Sequence, residues 1–369
     1  MGQKNKEKCM AMISSYDAWD REYQENKQDY LDMFDRFMSQ TNYENNEEFE
    51  HVFAIRVGRK YCVSVASATD ALHFALLAHG VGPGDEVLVT DFSWISSSAC
   101  ASMVGATPVF CDIDLETYHM SLDSIKRMYS DKVKAIVYPH LFGNMTDTTE
   151  IEKFCKEKGI LFIEDAAQSL GSSINGVQAG TIGDCSVYSF NSNKVIAGIN
   201  GGGVVLTDSE DIARKIKKIR RHGKDKDFGM LGYNSRMYVL NAEIINLRLR
   251  HVQRNQTRRQ EIAHKYNTAF ADLPIVTQKM SNGLNHNYHK YVVRFTDKDT
   301  RKRVKTALNA SIHYETPLSA NSMYDGLECR RDACTASKTA SSTVLSLPIH
   351  AWLTDDEINQ VINIVRSAI

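Results

Sequence analysis

Ile160-Leu161-Phe162-Ile163-Glu164-Asp165-Ala166-Ala167-Gln168 is a short apolar run that ends abruptly on two carboxylates. Downstream, Gly183-Asp184 leads into a second run, Cys185-Ser186-Val187-Tyr188-Ser189-Phe190, after which stand Asn191-Ser192-Asn193-Lys194 and the cluster Gly201-Gly202-Gly203. Apolar runs this short, bounded by polar residues and glycine, are the pattern of strands buried on both faces of a parallel sheet. Ligands bind such sheets beyond the carboxyl ends of the strands. Asp165 and Lys194 are therefore expected to face one crevice, a carboxylate and an amine brought together from two strands.

Working outward, strands and helices alternate, which predicts an α/β fold around a mainly parallel sheet. Upstream strands are expected at 61–65, 86–90, 107–111 and 134–138, and a downstream one at 202–207. Helices are expected after Ser67, over 95–104, around 121–129, over 147–158 with Thr146 as cap, and over 209–221 with a basic last turn that suits its dipole. A polar, glycine-rich stretch covers 222–236, and one long arginine-rich helical pattern runs from 240 to about 273. Beyond it, 288–295 and 312–314 are strand-like, 301–309 is helical, and the polar stretch around Arg330 is expected to be a mobile loop. Thr354 with Glu357 forms a capping box before a terminal helix. At the other end, 16–38 carries aromatics at imperfect helical spacing and predicts one or two helices packed on the body or on a partner subunit. A helix over 45–57, stopped by Gly58, follows. The expected division is 1–245 for the amino-terminal helices and a large sheet domain, and 246–369 for a smaller α+β domain.

Lys+Arg (44) and Asp+Glu (45) balance, so nothing in the charge calls for nucleic acid or an anionic membrane as partner. Cysteines at 9, 62, 100, 111, 155, 185, 329 and 334 show no metal-ligand spacing and mostly lie in apolar segments. They are expected to be reduced residues of a cytoplasmic protein, with no metal site and no disulfide framework. The polar, basic start is not followed by an apolar stretch, so no signal peptide is expected, and no window reaches the length of a membrane span.

A lysine at the edge of a sheltered pocket gives up its proton more easily, because desolvation disfavours the ammonium, and the neutral amine can form a Schiff base. An aspartate opposite it can keep a pyridine nitrogen protonated, which lets pyridoxal phosphate act as an electron sink. The turn Ser67-Ala68-Thr69-Asp70, between a strand and a helix, presents free backbone amides to a phosphate, although a serine there also serves as a simple cap. In combination, Glu164-Asp165-Ala166-Ala167-Gln168, Gly183-Asp184, Ser189-Phe190 with Lys194 five residues after the serine, and glycines 201–203 resemble the signature of the DegT/DnrJ/EryC1/StrS aminotransferases, over roughly 45–369. The resemblance implies the type I aminotransferase fold, pyridoxal 5'-phosphate as cofactor, glutamate as amino donor and a keto sugar nucleotide as acceptor.

It also implies roles. Lys194 would carry the cofactor and move a proton, Asp165 would pair with the ring nitrogen, and Gln168 would lie near the ring hydroxyl. Trp94 would stack on the ring, while Ala68, Thr69 and Ser189 would hold the phosphate. Gly232-Tyr233-Asn234-Ser235-Arg236-Met237 matches a family segment that crosses a dimer interface, where Asn234 would reach the phosphate bound by the other subunit. That implies a homodimer with shared active sites. His313 and Tyr314, in a His-Tyr-x-x-Pro-Leu segment, are the implied substrate-side residues. His140 is read as a loop or core residue.

Asn200 stands where many members carry an acidic residue, which changes the charge facing the substrate. A branch with histidine in place of the lysine dehydrates sugars, and Lys194 argues against it; a branch that aminates cyclitol ketones stays open. Two readings from other classes remain. One is a dinucleotide-binding oxidoreductase built on glycines 198 and 201–203, which lack the Gly-x-Gly-x-x-Gly spacing. The other is a non-catalytic regulator that binds cofactor or sugar as a signal on the same scaffold.

Overall fold

The computed structural model describes residues 18–39, 46–225 and 227–369. Cys9, Tyr16 at the start of the expected first helix and Asn45 at the start of the next lie outside the described residues. The strands are β1 (Tyr61–Val65), β2 (Glu86–Thr90), β3 (Thr107–Cys111), β4 (Val133–Pro139), β5 (Leu161–Asp165), β6 (Ser173–Ile174), β7 (Val177–Gln178), β8 (Cys185–Ser189), β9 (Gly203–Thr207), β10 (Ile275–Thr277), β11 (Leu284–Asn285), β12 (Tyr291–Phe295), β13 (Arg330–Arg331) and β14 (Val344–Leu347). Eight of them form one sheet in the order β1-β9-β8-β5-β4-β2-β3-β13. Pairing is parallel from β8 to β13, whereas β9 runs antiparallel to both β1 and β8. The carboxyl ends of β1, β2, β4, β5 and β8 therefore share one rim with the amino end of β9.

These strands lack a polar face because both faces are covered. Leu88, Ile136, Phe162, Tyr188 and Leu206 pack in one apolar cluster, and their chain neighbours Val87, Val137, Ile163, Val187 and Val205 pack in another on the opposite side. With a side-chain period of two, every residue of such a strand is apolar for one cluster or the other. The helices Ala68–Ala78, Leu122–Met128 and Glu210–Ile219 begin on serines 67, 121 and 209, whose hydroxyls accept from the amides of Asp70, Ser124 and Ile212.

A second sheet, β10-β12-β14, is antiparallel and packs with the helices Val252–Ala269, Lys298–Leu308 and Asp355–Ala368 around Ile262, Tyr266, Val293, Leu345 and Val361. The last of these helices carries the expected capping box. A small ribbon joins β6, β7 and β11. Leu318, Tyr324 and Cys334 leave this neighbourhood to pack in the large-sheet core. The amino-terminal segment forms two helices, Trp19–Glu25 and Lys27–Met38, anchored by an Arg21–Glu357 ion pair of 2.6 Å and by the Arg248 guanidinium 3.9 Å above the Trp19 ring. All described cysteines are free, and among the described residues no helix is long and apolar enough to cross a membrane.

Four expectations are corrected. The pattern from 240 to 273 is two helices, Val239–Leu249 and Val252–Ala269, broken at Arg250-His251 without glycine or proline. Residues 312–314 form no strand: only Ser311 bridges to Ser346, and Tyr314 is drawn instead to Gln168. The stretch at Arg330 is not a loop but β13, added in parallel to β3 and pinned by Arg330 to Glu86 and by Asp332 to Ser124. Thr146 does not cap the helix after it; its hydroxyl bonds Tyr138, while Asp147 takes the Thr149 amide and the helix runs Thr149–Lys158.

Candidate active site

The shared rim opens into a cleft of about 530 Å³. From β5 comes Asp165, 5% exposed, whose carboxylate accepts the Ser97 hydroxyl (2.8 Å) and the Ala167 amide (3.2 Å). From β8 come Ser189 and then a tight turn, closed by Lys194 N–H to Asn191 O (2.9 Å), that presents Lys194 to the same space. Burial pulls the Lys194 ammonium down to about 8, with the Asp165 charge opposing it. Burial also pushes the Asp165 carboxyl up, against the Ser97 hydroxyl, the Ala167 amide and the charges of Lys194 and His140. The two groups line one cleft, as expected, and each feels the other's charge.

Beyond β1, Ala68 and Thr69 are the first residues of the helix capped by Ser67, so their amides have no intrahelical acceptor, and both residues line the cleft's end. The amino end of β9 runs close against this turn. A Cβ placed on Gly203 would lie 2.6 Å from the Ala68 nitrogen and 2.6 Å from the Ser67 carbonyl carbon, so the turn sits where it does only because residue 203 has no side chain. Thr69 and Ser96 share a hydroxyl hydrogen bond of 2.7 Å at the same end. Trp94 stands at the mouth, 58% exposed, its ring 6.3 Å from that of Tyr314.

On the other wall, Gln168 accepts the Phe142 amide (2.8 Å) and donates to the Tyr314 hydroxyl (3.2 Å), so both are held in fixed orientation. His313 lines the cleft and bonds Ser346 (2.9 Å); burial, helped by the charges of Lys290 and Lys194, lowers its pKa to about 3 and keeps it neutral. Asn234 is exposed and does not line this chain's cleft, but its neighbour Ser235 donates to Asp70 (2.7 Å) and accepts from Ala66 (3.1 Å). The segment is therefore moored beside the Ser67 turn. His140 is buried against Glu164 at 2.9 Å, and Glu164 also takes the amides of Gly180 and Ile182, a core role.

Sequence reasoning missed Ser97, His289 and Lys290. Ser97 is one of three consecutive serines, 96–98, at a helix start, a polar run that the buried face of that helix would otherwise exclude. Lys290 breaks an aromatic run, Tyr288-His289-Lys290-Tyr291, and a charge at the head of an apolar strand was the available signal. A larger groove of about 920 Å³ lies at the opposite ends of the strands, around Asp85, Lys134 and Asp184, and contains neither Asp165 nor Lys194.

The cleft thus offers an amine of lowered basicity, a buried carboxylate, the first amides of a helix and an exposed indole. A flat basic ring bearing an aldehyde and a phosphate would meet a suitable partner at each of its groups. Among the described residues no cluster of three potential metal ligands occurs.

The family model described as DegT/DnrJ/EryC1/StrS aminotransferase family matches residues 21–366. The chain is 32% identical over 311 residues to a "Pleiotropic regulatory protein" of Geobacillus stearothermophilus, covering 82% of this chain and 83% of the relative. It is 32% identical over 328 residues to dTDP-3-amino-3,6-dideoxy-alpha-D-galactopyranose transaminase of Aneurinibacillus thermoaerophilus, covering 87% and 89%. In structure it is similar to S. venezuelae DesV, with a TM-score of 0.91, 26% identity and coverage of 96% and 98%.

Proposed function

The chain belongs to the DegT/DnrJ/EryC1/StrS aminotransferase family, and on that premise we propose that it moves an amino group from glutamate to a keto sugar carried on a nucleotide, with pyridoxal phosphate in the Asp165–Lys194 cleft. The observation that carries this reading is the meeting of that amine and that carboxylate in one cleft. It is supported by a chain of relatives named as sugar transaminases, of which the Aneurinibacillus enzyme is one. The cyclitol ketone is the alternative acceptor of the same chemistry.

Pyridoxal phosphate supplies an aldehyde that accepts the nitrogen of one substrate for delivery to the next, and a ring that withdraws electrons from the carbon bearing it. Asp165 would hold a proton at the ring nitrogen, and a cationic ring beside it would reverse the upward pull of burial on its carboxyl. Ser97 and the Ala167 amide fix the rotamer that makes this contact. Ala68, Thr69 and Ser189 would take the phosphate, Trp94 would cover one ring face, and Gln168 would reach the ring hydroxyl. Lys194 Nζ, neutral in part at physiological pH, would take the proton from the carbon that bears the nitrogen and return it to the carbon on the other side of that nitrogen.

The moored but outward-facing Asn234 would complete the phosphate site of a second copy, giving a homodimer with shared sites. The chain would then divide near residue 245 into a large cofactor-binding domain and a smaller carboxyl-terminal one, with the segment around 318–334 returning to the larger. Free cysteines, buried at every described position but Cys329, suit a reducing, cytoplasmic setting.

The test is a panel of nucleotide keto sugars, with the keto group at different ring positions, offered with glutamate; the product amine and 2-oxoglutarate are expected with one class of them. The relative named as a pleiotropic regulatory protein favours a second reading, a regulator on this scaffold. It predicts cofactor uptake with no amine formed from any sugar in the panel.

A pH prediction follows from the lysine. The neutral amine attacks the aldehyde, so uptake of pyridoxal phosphate by the cofactor-free chain should quicken as pH rises, with a midpoint near 8 and not at the ordinary lysine value of 10.5. The growth rate of the visible band against pH measures it, and a midpoint near 10 would show that the amine is not desolvated.

A further inference from the structure

The turn that carries Lys194 is also held from behind. Trp19, the first residue of the helix Trp19–Glu25, donates its indole Nε1–H to Ser192 O (3.3 Å), inside the turn that Lys194 N–H closes on Asn191 O. Arg248 lies 3.9 Å over the same indole and donates from Nη1 to Ala197 O (2.6 Å), just past the lysine. Its Nε is fixed by the Glu22 carboxylate (2.9 Å) and the Tyr30 hydroxyl (2.9 Å). Between this helix and the stretch from Lys194 to Ala197 lies a cavity of about 30 Å³, room for no more than about one or two water molecules. Trp19 lines that cavity and is itself partly exposed, so its indole is a wall between solvent and the side of Lys194 that faces away from the cleft.

Resting on the reading of Lys194 as the amine that captures the cofactor's aldehyde, we propose that Trp19 is a positioning residue for Lys194: carried by the amino-terminal helix, it backs the lysine's turn and keeps water from the rear of the amine. An ammonium that water can reach from two sides stays well solvated, whereas one open only to the cleft does not. The lowered basicity of Lys194, set chiefly by burial, fits a closed rear. On the cleft side the charged and titratable neighbours of Lys194 are Asp165 of β5, His289 and Lys290 at the head of β12, and His313. Behind it stand Glu22, Arg248, Arg259 and His350. Substitution of Trp19 alters none of them, and Arg248 keeps its bonds to Glu22, Tyr30 and Ala197 O. A changed titration of Lys194 in a Trp19 variant therefore reports water and not charge.

The experiment is trace acetylation of the cofactor-free full chain with acetic anhydride at a series of pH values, the peptide that carries Lys194 being quantified by mass. Only the neutral amine reacts, so the yield follows its titration. In the wild type the midpoint is expected near 8. In Trp19→Ala it should rise by about half a pH unit or more, toward the ordinary lysine value of 10.5. None of the apolar clusters of the described residues contains Trp19, so this variant should keep its fold, read by its unfolding midpoint. Trp19→Phe, which puts a ring back over the same space, should recover most of the shift. A Trp19→Ala chain that titrates with the wild type, a Trp19→Phe midpoint displaced as far as that of Trp19→Ala, or a wild-type midpoint near 10 would each overturn the assignment. Acetylation needs no cofactor. A chain whose Lys194 behaves as stated but never forms a visible band with pyridoxal phosphate would therefore sink the aminotransferase reading and leave the role of Trp19 standing.

Discussion

Lys194→Ala should lower glutamate-dependent amination on the order of 10⁴-fold or more while leaving the fold in place, because one side chain is asked both to capture the aldehyde and to move the proton. The fold should survive because the Lys194 side chain is in none of the apolar clusters, and the turn that carries it is closed by backbone groups, Lys194 N–H to Asn191 O and Gly198 N–H to Phe190 O. Removing a desolvated ammonium also removes a charge that burial disfavours. Thermal stability is therefore expected to hold or rise slightly, read by the unfolding midpoint of the cofactor-free chains. The same variant tests the shared site. Mixed with an equal amount of Asn234→Ala, itself expected to retain cofactor poorly, it should regain activity, since random pairing leaves about a quarter of the sites with both intact residues. Activity in Lys194→Ala alone would remove the lysine from the chemistry, and failure to complement would confine each site to one chain.

Where strands are buried on both faces, the sequence could be read almost to the residue. Tyr61–Val65, Glu86–Thr90 and Thr107–Cys111 are bounded as expected, since each apolar run is sharply terminated and no other element tolerates it. The residues proposed to hold the cofactor sit at or just beyond those terminations, which is why Asp165, Ser189 and Lys194 could be read together as lining one cleft. What escaped was fixed by contacts distant in sequence. No local signal breaks the helical pattern at Arg250-His251, where Arg248 turns inward to bond Ala197 O and to stack on Trp19. Nothing near Arg330 announces a strand, because its partner strand is more than two hundred residues earlier and the pairing is tied by Glu86. Ile312 to Tyr314 has strand propensity, but the Tyr314 hydroxyl is held by Gln168 in the cleft wall. Lys290 and Ser97 are polar residues inside apolar surroundings, and their meaning appears only once the cleft they face is assembled.

Gly203→Ala should be the other severe variant, and its effect should fall on the phosphate end of the cleft. Gly203 is paired on both sides, with Val65 of β1 and Ser189 of β8, so its backbone has no freedom to withdraw. A methyl there would meet Ala68 N, Ser67 C and Ser67 O at 2.6, 2.6 and 2.7 Å, all backbone atoms of the turn that starts the helix. The turn must move, at a cost of about 1–3 kcal/mol for overpacking, and with it move the amides of Ala68 and Thr69. Gly201 separates this effect from ordinary glycine strain. It has a φ of 76°, where a side chain is disfavoured, but a Cβ there would meet nothing within 4 Å. Gly201→Ala should thus cost about 1 kcal/mol of backbone strain and keep its cofactor, whereas Gly203→Ala should hold pyridoxal phosphate at least tenfold more weakly, as measured by dialysis and by the visible band. Equal retention in the two variants would mean that the helix amides beyond β1 do not bind the phosphate, and the orientation assigned to the ring between Asp165 and Lys194 would have to be reversed.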